Sequence, residues 1–141
     1  MTEADILEVL QLSIKSFGAM AWKERDFLHA IESRYDYPYV IRVRGRFAGF
    51  SLLRCLGPEA EVQEICIAEA FRGKGLGSCL MDRMIEDTRL RSGSSIFLEV
   101  RVGNRAAREL YRKKGFAEQY IRRAYYSDPT EDAAVLRLSL S

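Results

Sequence analysis

Residues 61–85 read EVQEICIAEAFRGKGLGSCLMDRMI. The stretch opens as an extended apolar segment, Glu61–Ala68, and passes through glycines at 73, 75 and 77. It continues with Leu76, Leu80, Met84 and Ile85 at the spacing of one helix face. This order predicts a strand, a glycine-rich turn and a helix. Successive glycines let a backbone bend sharply and come close to a ligand. The free N–H groups of the first helical turn, together with the helix dipole, then favour a phosphate. The turn is not a P-loop, because Lys74 is followed by Gly75 and not by Ser or Thr. Nor is it a dinucleotide fingerprint: its glycines fall as G-x-G-x-G, and no strand opens the chain. On its own, the turn also fits a flexible loop ahead of a helix.

Upstream, Ile6, Leu7, Val9, Leu10, Ile14 and Phe17 recur with helical period, and Gly18 follows as a stop. A second helix is expected from Lys23 to about Arg34, with Phe27, Leu28 and Ile31 on its apolar face. Pro38 ends any helical option. The period then changes to two. Tyr39–Val43 and Phe47–Cys55 read as strands joined by a turn at Arg44-Gly45-Arg46, and Gly57-Pro58 marks the next turn. Downstream, Ser92-Gly93 closes the central helix and Ser95–Val102 is strand-like. Asn104 caps a short helix that ends near Lys114, with Gly115 just past its end. Phe116–Tyr125 and Ala133–Leu140 complete the set as two strands. The order ααβββαβαββ predicts an α/β (α+β) fold: a mixed, mostly antiparallel sheet flanked by helices, one domain over residues 1–141.

Composition narrows the function classes. The chain has 141 residues, of which 48% are hydrophobic, enough for a proper core. Its 22 basic and 20 acidic residues balance to +2, unlike a protein built mainly to hold nucleic acid. The cysteines, Cys55, Cys66 and Cys79, form no C-x-x-C pair, and their odd number does not suit a disulfide framework. They read as reduced, mostly buried thiols. With one histidine, His29, a multi-ligand zinc site is not expected; His29 itself reads as structural. No apolar run approaches the roughly 18 residues that span a bilayer. The opening MTEADILEVL is acidic and lacks the basic start of a signal peptide. A cytoplasmic protein with no metal, no membrane partner and no direct nucleic-acid partner is the expectation.

A second chemical signal lies downstream: Leu98-Glu99-Val100, then Asn104, Tyr111 and Gly115-Phe116. A strand carries a carboxylate and the next helix a phenol. The R-G-K-G-L-G turn followed by L-E-V-R-x-x-N-x-x-A-x-x-L-Y-x-x-x-G-F resembles the GNAT superfamily of N-acetyltransferases. Within it, the chain is most similar to the ribosomal-protein-alanine N-acetyltransferase (RimI) type. Ile121-Arg122-Arg123-Ala124-Tyr125-Tyr126 and Ala21-Trp22-Lys23-Glu24 extend the likeness, which covers nearly the whole chain.

The resemblance implies acetyl-CoA as cosubstrate. Its pantetheine would pair with the backbone of Ile65, Cys66 and Ile67 like an added strand. Its pyrophosphate would sit on Arg72, Gly73, Lys74, Gly75, Leu76, Gly77 and Ser78. Asn104 would contact it as well, a role compatible with a plain helix cap. Arg105, Arg108, Arg112, Lys113 and Lys114 could meet phosphates, although a solvated basic face explains most of them individually. The acceptor would be a peptide or protein N-terminus, that of a ribosomal protein.

Acetyl transfer needs a neutral amine, and an α-amino group with a pKa near 7.7–8.0 already supplies a neutral fraction. The resemblance makes Glu99 the general base and Tyr111 the acid that protonates or holds the leaving thiolate. Glu64, on the pantetheine strand, competes with Glu99. Strand alternation puts Val62, Glu64 and Cys66 on one face and Phe97, Glu99 and Arg101 on one face of the next strand. It does not decide which carboxylate faces the cleft. Cys66 and Cys79 have no histidine in a partner motif, so direct transfer is expected over a thiol nucleophile. Tyr125 and Tyr126 are candidates for shaping the acceptor site.

The family usually opens with a short strand before its first helix. Here that strand is short or missing, leaving a sheet edge either exposed or covered by a second copy of the chain, a monomer or a homodimer. A small-molecule amine acetyltransferase and a non-catalytic acyl-CoA-binding module are the rival functions.

Overall fold

The computed structural model describes residues 1–127 and 129–140. Four helices, α1 (Ile6–Phe17), α2 (Glu24–Glu32), α3 (Leu76–Leu90) and α4 (Arg105–Lys113), pack on a six-stranded sheet. The strands are β1 (Asp36–Val43), β2 (Arg46–Leu56), β3 (Glu59–Ile67), β4 (Ser95–Arg101), β5 (Ala117–Tyr126) and β6 (Glu131–Ser139). Their order in the sheet is β1-β2-β3-β4-β6-β5, and only the β3–β4 neighbours run parallel. This is the expected mixed, mostly antiparallel sheet.

Each face of the sheet carries its own core. On one, Ile6, Val9 and Leu12 of α1 and Phe27 and Ala30 of α2 bury against Phe50, Leu52 and Cys66. On the other, Met81, Met84 and Ile85 of α3 and Tyr111 of α4 bury against Leu53, Val62, Ile96, Leu98, Val100, Leu136 and Leu138. The spacing of these residues along α1 and α3 is the helical period seen in the sequence. Among the described residues no helix is long and apolar enough to cross a membrane.

Several boundaries differ from expectation. The second helix ends at Glu32, because Ser33 is already extended and leads into β1. That strand begins at Asp36 and runs through Pro38. A proline is tolerated there because β1 is an edge strand, where a missing N–H leaves no neighbour unpaired. Asp36 fixes the start of the strand by accepting a 2.8 Å hydrogen bond from Arg54 Nε. No strand precedes α1 among the described residues; a single 3-10 turn, Glu3–Asp5, stands there, and the Met1 amino group donates to Pro38 O. The thiols divide more evenly than expected: Cys66 is buried, Cys55 partly so and Cys79 exposed.

The alternation rule fails on β3, and the failure matters for the site. Leu52 pairs with Glu64 and Leu53 with Val62, so Gln63 is an extra residue, a β-bulge. Val62 therefore points to the α3 core, while Glu64 and Cys66 point to α1. Val62, Glu64 and Cys66 do not share a face. The same device recurs on β5. Glu118 pairs with Leu136 and Tyr120 with Val135, leaving Gln119 unpaired. The bulge turns Tyr120 and Arg122 away from α4, onto the face that carries Glu99.

Candidate active site

The parallel pairing of β3 and β4 is confined to Glu59–Glu61 opposite Ser95–Phe97. Beyond it the two strands part. From Glu64 to Ile67, β3 keeps its ladder with β2 on one side and offers an unpaired backbone edge on the other. Unpaired N–H and C=O groups on a strand are a template for an extended ligand. Ile65, Cys66 and Ile67 lie on that stretch. The Cys66 side chain is turned away from it, with Sγ 2.9 Å from Ser16 Oγ under α1, so only its backbone is offered to the gap. Burial pushes its thiol pKa up, which leaves it a poor nucleophile.

At the end of β3 comes the glycine turn. Gly73 and Gly75 have φ of +76° and +78°, the left-handed region that a side chain would strain. Gly75 is the N-cap of α3 and brings no side-chain cap. The first intrahelical bond is Cys79 N–H to Gly75 O, which leaves the N–H groups of Leu76, Gly77 and Ser78 without helical acceptors. A Cβ built on Gly73 or Gly75 would meet nothing within 4 Å, so the space beside them is open. Cations ring the turn: Lys74 and Arg46 each lie over the Phe71 ring, at 5.8 and 5.2 Å. Arg72 is instead anchored, its Nε donating to Ile67 O at 3.1 Å, which ties the turn to the strand end. Exposed donors, a helix N-terminus and nearby cations suit a polyphosphate.

The contrast with α4 is instructive. There Asn104 Oδ1 accepts from Ala107 N–H at 3.1 Å, so the expected N-cap is present. Several basic side chains of α4 and its C-cap are engaged within the protein: Arg108 with Glu118 and Val102 O, Arg112 with Glu109, and Lys114 with Asp82. Tyr111, on the inner face of α4, is 5% exposed and packs on Phe116 with ring centroids 5.9 Å apart. Burial alone pushes its phenol pKa up to about 12. It holds its proton at any physiological pH, so its O–H is available to donate a hydrogen bond to a departing thiolate.

The two candidate carboxylates have different settings. Glu64 is buried beneath α1, where its Oε2 accepts from Ser13 Oγ at 3.4 Å. Burial pushes its pKa up to about 7, against the smaller opposing effects of Ser13 and the Trp22 backbone N–H. Glu99 projects from the opposite face of β4 to Leu98 and Val100. It lines a groove of about 350 Å³ with Arg54, Glu61, Phe97, Tyr120 and Arg122. Its Oε1 accepts from Arg122 Nη1 at 2.6 Å. Tyr125 also approaches Glu99, and that carboxylate, ahead of a lesser effect of burial, pushes the Tyr125 phenol pKa up to about 12. Tyr126 lies deeper, over Arg101 at 4.5 Å, and its phenol is also raised, chiefly by burial and then by Glu99. Glu61 stands near Glu99, and its own pKa is raised by burial and by that neighbouring charge.

Tyr125 and Tyr126 were legible as acceptor-site candidates. The convergence of Arg122 and Glu61 on Glu99 was not, because the first depends on the Gln119 bulge and the second on the β3–β4 register.

Residues 6–116 match the Acetyltransferase (GNAT) family, which spans most of the chain. The chain belongs to the GNAT family of acetyltransferases. Among its GNAT relatives, the ribosomal protein bS18-alanine N-acetyltransferase of Escherichia coli K12 is 33% identical over 125 residues, 87% of this chain and 84% of that one. The N-alpha-acetyltransferase RimI of Mycobacterium tuberculosis H37Rv is 31% identical, covering 97% of this chain and 88% of its own. The crystal structure of the ribosomal-protein-S18-alanine N-acetyltransferase from Escherichia coli superposes with a TM-score of 0.89 at 28% identity, covering 100% of this chain and 91% of that one. In this GNAT chain the splayed strands and the open α3 terminus lie side by side.

Proposed function

We propose that this chain is an acetyl-CoA-dependent N-acetyltransferase acting on a protein N-terminal α-amino group, of the ribosomal-protein-alanine type, in the cytoplasm. The observation that carries the reading is the pairing of two features at one splay: an open backbone edge and helix terminus on the β3–α3 side, and Glu99 in a groove on the β4 side. The likeness to relatives that acetylate the alanine of ribosomal protein bS18 supports the choice of acceptor.

Residues 1–141 act as one domain in this reading. The backbone of Ile65, Cys66 and Ile67 binds the pantetheine, and the turn from Arg72 to Ser78 binds the pyrophosphate, with Asn104 alongside. Acetyl-CoA supplies the activated thioester. Glu99 orients the acceptor amine in the groove and takes its proton, directly or through a water. Tyr111 gives a proton to the sulfur as the C–S bond breaks. The new amide carries the acetyl group, and free CoA thiol leaves. Glu64 lies under α1 and is left out of the proton path.

Thiol release from acetyl-CoA, measured against peptides with a free N-terminal Ala, Ser or Met and against small amines, tests the function. Turnover confined to peptides with a particular first residue supports it. Turnover on small amines alone assigns another acceptor class, and tight binding of acetyl-CoA with no turnover on any amine makes the chain a binding module.

A further inference from the structure

Glu99 does not stand in its groove unaided. The Gln119 bulge rotates β5 so that Arg122 reaches across β6 to Glu99 Oε1 at 2.6 Å. A second irregularity follows between Arg122 and Tyr126, where the chain carries extra residues against β6 and Ala124 takes a φ of +48°. That conformation is costly for a residue with a Cβ and needs surrounding support. Asp132 supplies it: Oδ1 accepts from the Ala124 N–H at 2.8 Å, and Oδ2 pairs with Arg123 at 3.1 Å. The pinned kink delivers Tyr125 to the same carboxylate, with Arg122 lying over the Tyr125 ring at 4.5 Å.

The arrangement answers an electrostatic problem in the groove. From β3, Glu59 and Glu61 line it, and the nearby Glu99 charge, after burial, raises the Glu61 pKa. From β2 comes Arg54, already committed to Asp36. From β5 come Tyr120, Arg122 and Tyr125, with Tyr126 behind them. Arg122 is the cation that touches Glu99, and it engages Oε1, leaving Oε2 lone pairs for an amine or a water.

We propose that Arg122 is a positioning residue for catalysis, holding the Glu99 carboxylate in one orientation and offsetting the charge of Glu61. This rests on Glu99 as the catalytic base. A carboxylate held from one oxygen presents the other in a fixed direction, and misplacement of a base by a fraction of an ångström weakens proton transfer. Arg122 acts through Glu99 in this reading.

The test uses the full chain, a reactive N-terminal peptide and acetyl-CoA. Arg122→Ala should lower kcat by about tenfold or more while the KM for acetyl-CoA stays within about twofold, because the nucleotide side of the splay is untouched. Arg122→Lys should recover part of the loss, and millimolar guanidinium should restore turnover to Arg122→Ala but not to wild type, with urea at equal concentration inert. An Arg122→Ala enzyme as fast as wild type, or a loss restored by neither Lys nor guanidinium, overturns the proposal. Glu99→Gln is run beside it. If that variant is inactive and Arg122→Ala is not impaired, only the positioning role falls. If Glu99→Gln is fully active, the reading of Glu99 as base fails and takes this proposal with it.

Discussion

Ser13 donates a hydrogen bond to Glu64 across 3.4 Å, joining the middle of α1 to the bulged part of β3 in a region where both side chains are buried. A carboxyl in that place prefers to keep its proton, and burial pushes its pKa up to about 7 from an ordinary value of 4.5. Between those two values the folded chain holds a proton that the unfolded chain has lost. Stability therefore falls as pH rises through this window, and the full cost is present above about pH 7. At about 1.4 kcal/mol per pKa unit, the cost is on the order of 3–4 kcal/mol. Glu64→Gln is neutral at every pH, so its stability relative to wild type should improve by roughly that amount between pH 4.5 and pH 8. Urea unfolding of both proteins at the two pH values measures it. A difference that stays constant with pH would show that Glu64 does not titrate in this range.

The two carboxylates should separate kinetically. Glu99→Gln is expected to lower kcat by about 10²-fold or more, most visibly at low pH where the acceptor amine is mostly protonated. Glu64→Gln should keep most of its activity. The reverse pattern in pH–rate profiles of the two variants would move the base to Glu64, beneath α1.

Tyr111→Phe removes one oxygen from a buried ring that keeps its packing on Phe116. Turnover should fall by about 10²-fold with acetyl-CoA affinity nearly unchanged, since only the transferred proton is lost. Because the phenol titrates only near 12, the basic limb of the wild-type kcat profile below about pH 10 should not belong to it. Single-turnover rates and equilibrium binding of acetyl-CoA distinguish these effects. An unaltered rate removes Tyr111 from the mechanism.

Gly49 pairs with Ile67 at the strand end that leads into the glycine turn. A Cβ there would sit 2.8 Å from Ile67 Cδ1 and 3.1 Å from Ile67 Cα, and would run into the Cys66 carbonyl oxygen. Gly49→Ala must push β3 towards the splay. It should cost about 1–3 kcal/mol in stability and weaken acetyl-CoA binding in parallel. Denaturant melts and a binding titration measure both; an alanine that leaves both unchanged would mean that the strands part freely at this point.

The element order, both capping glycines, the Asn104 cap and the glycine turn were legible in the sequence, because each follows from local rules: helical or strand period, a positive φ, a side-chain acceptor for free N–H groups. Chemistry-bearing residues were legible too, as a pattern of types at fixed spacing. The sequence did not reveal which way those residues point. Alternation assigns Glu64 the face of Val62, and the structure assigns it the opposite face. One extra residue at Gln63 reverses every side chain after it, and another at Gln119 does the same for Tyr120 and Arg122. A bulge has no strong local signature, since it is stabilised by what the strand meets on both sides: α1 over Glu64, Glu99 across from Arg122. Local chain preferences thus determined the elements of this protein, and long-range pairing between strands decided the faces on which its carboxylates work.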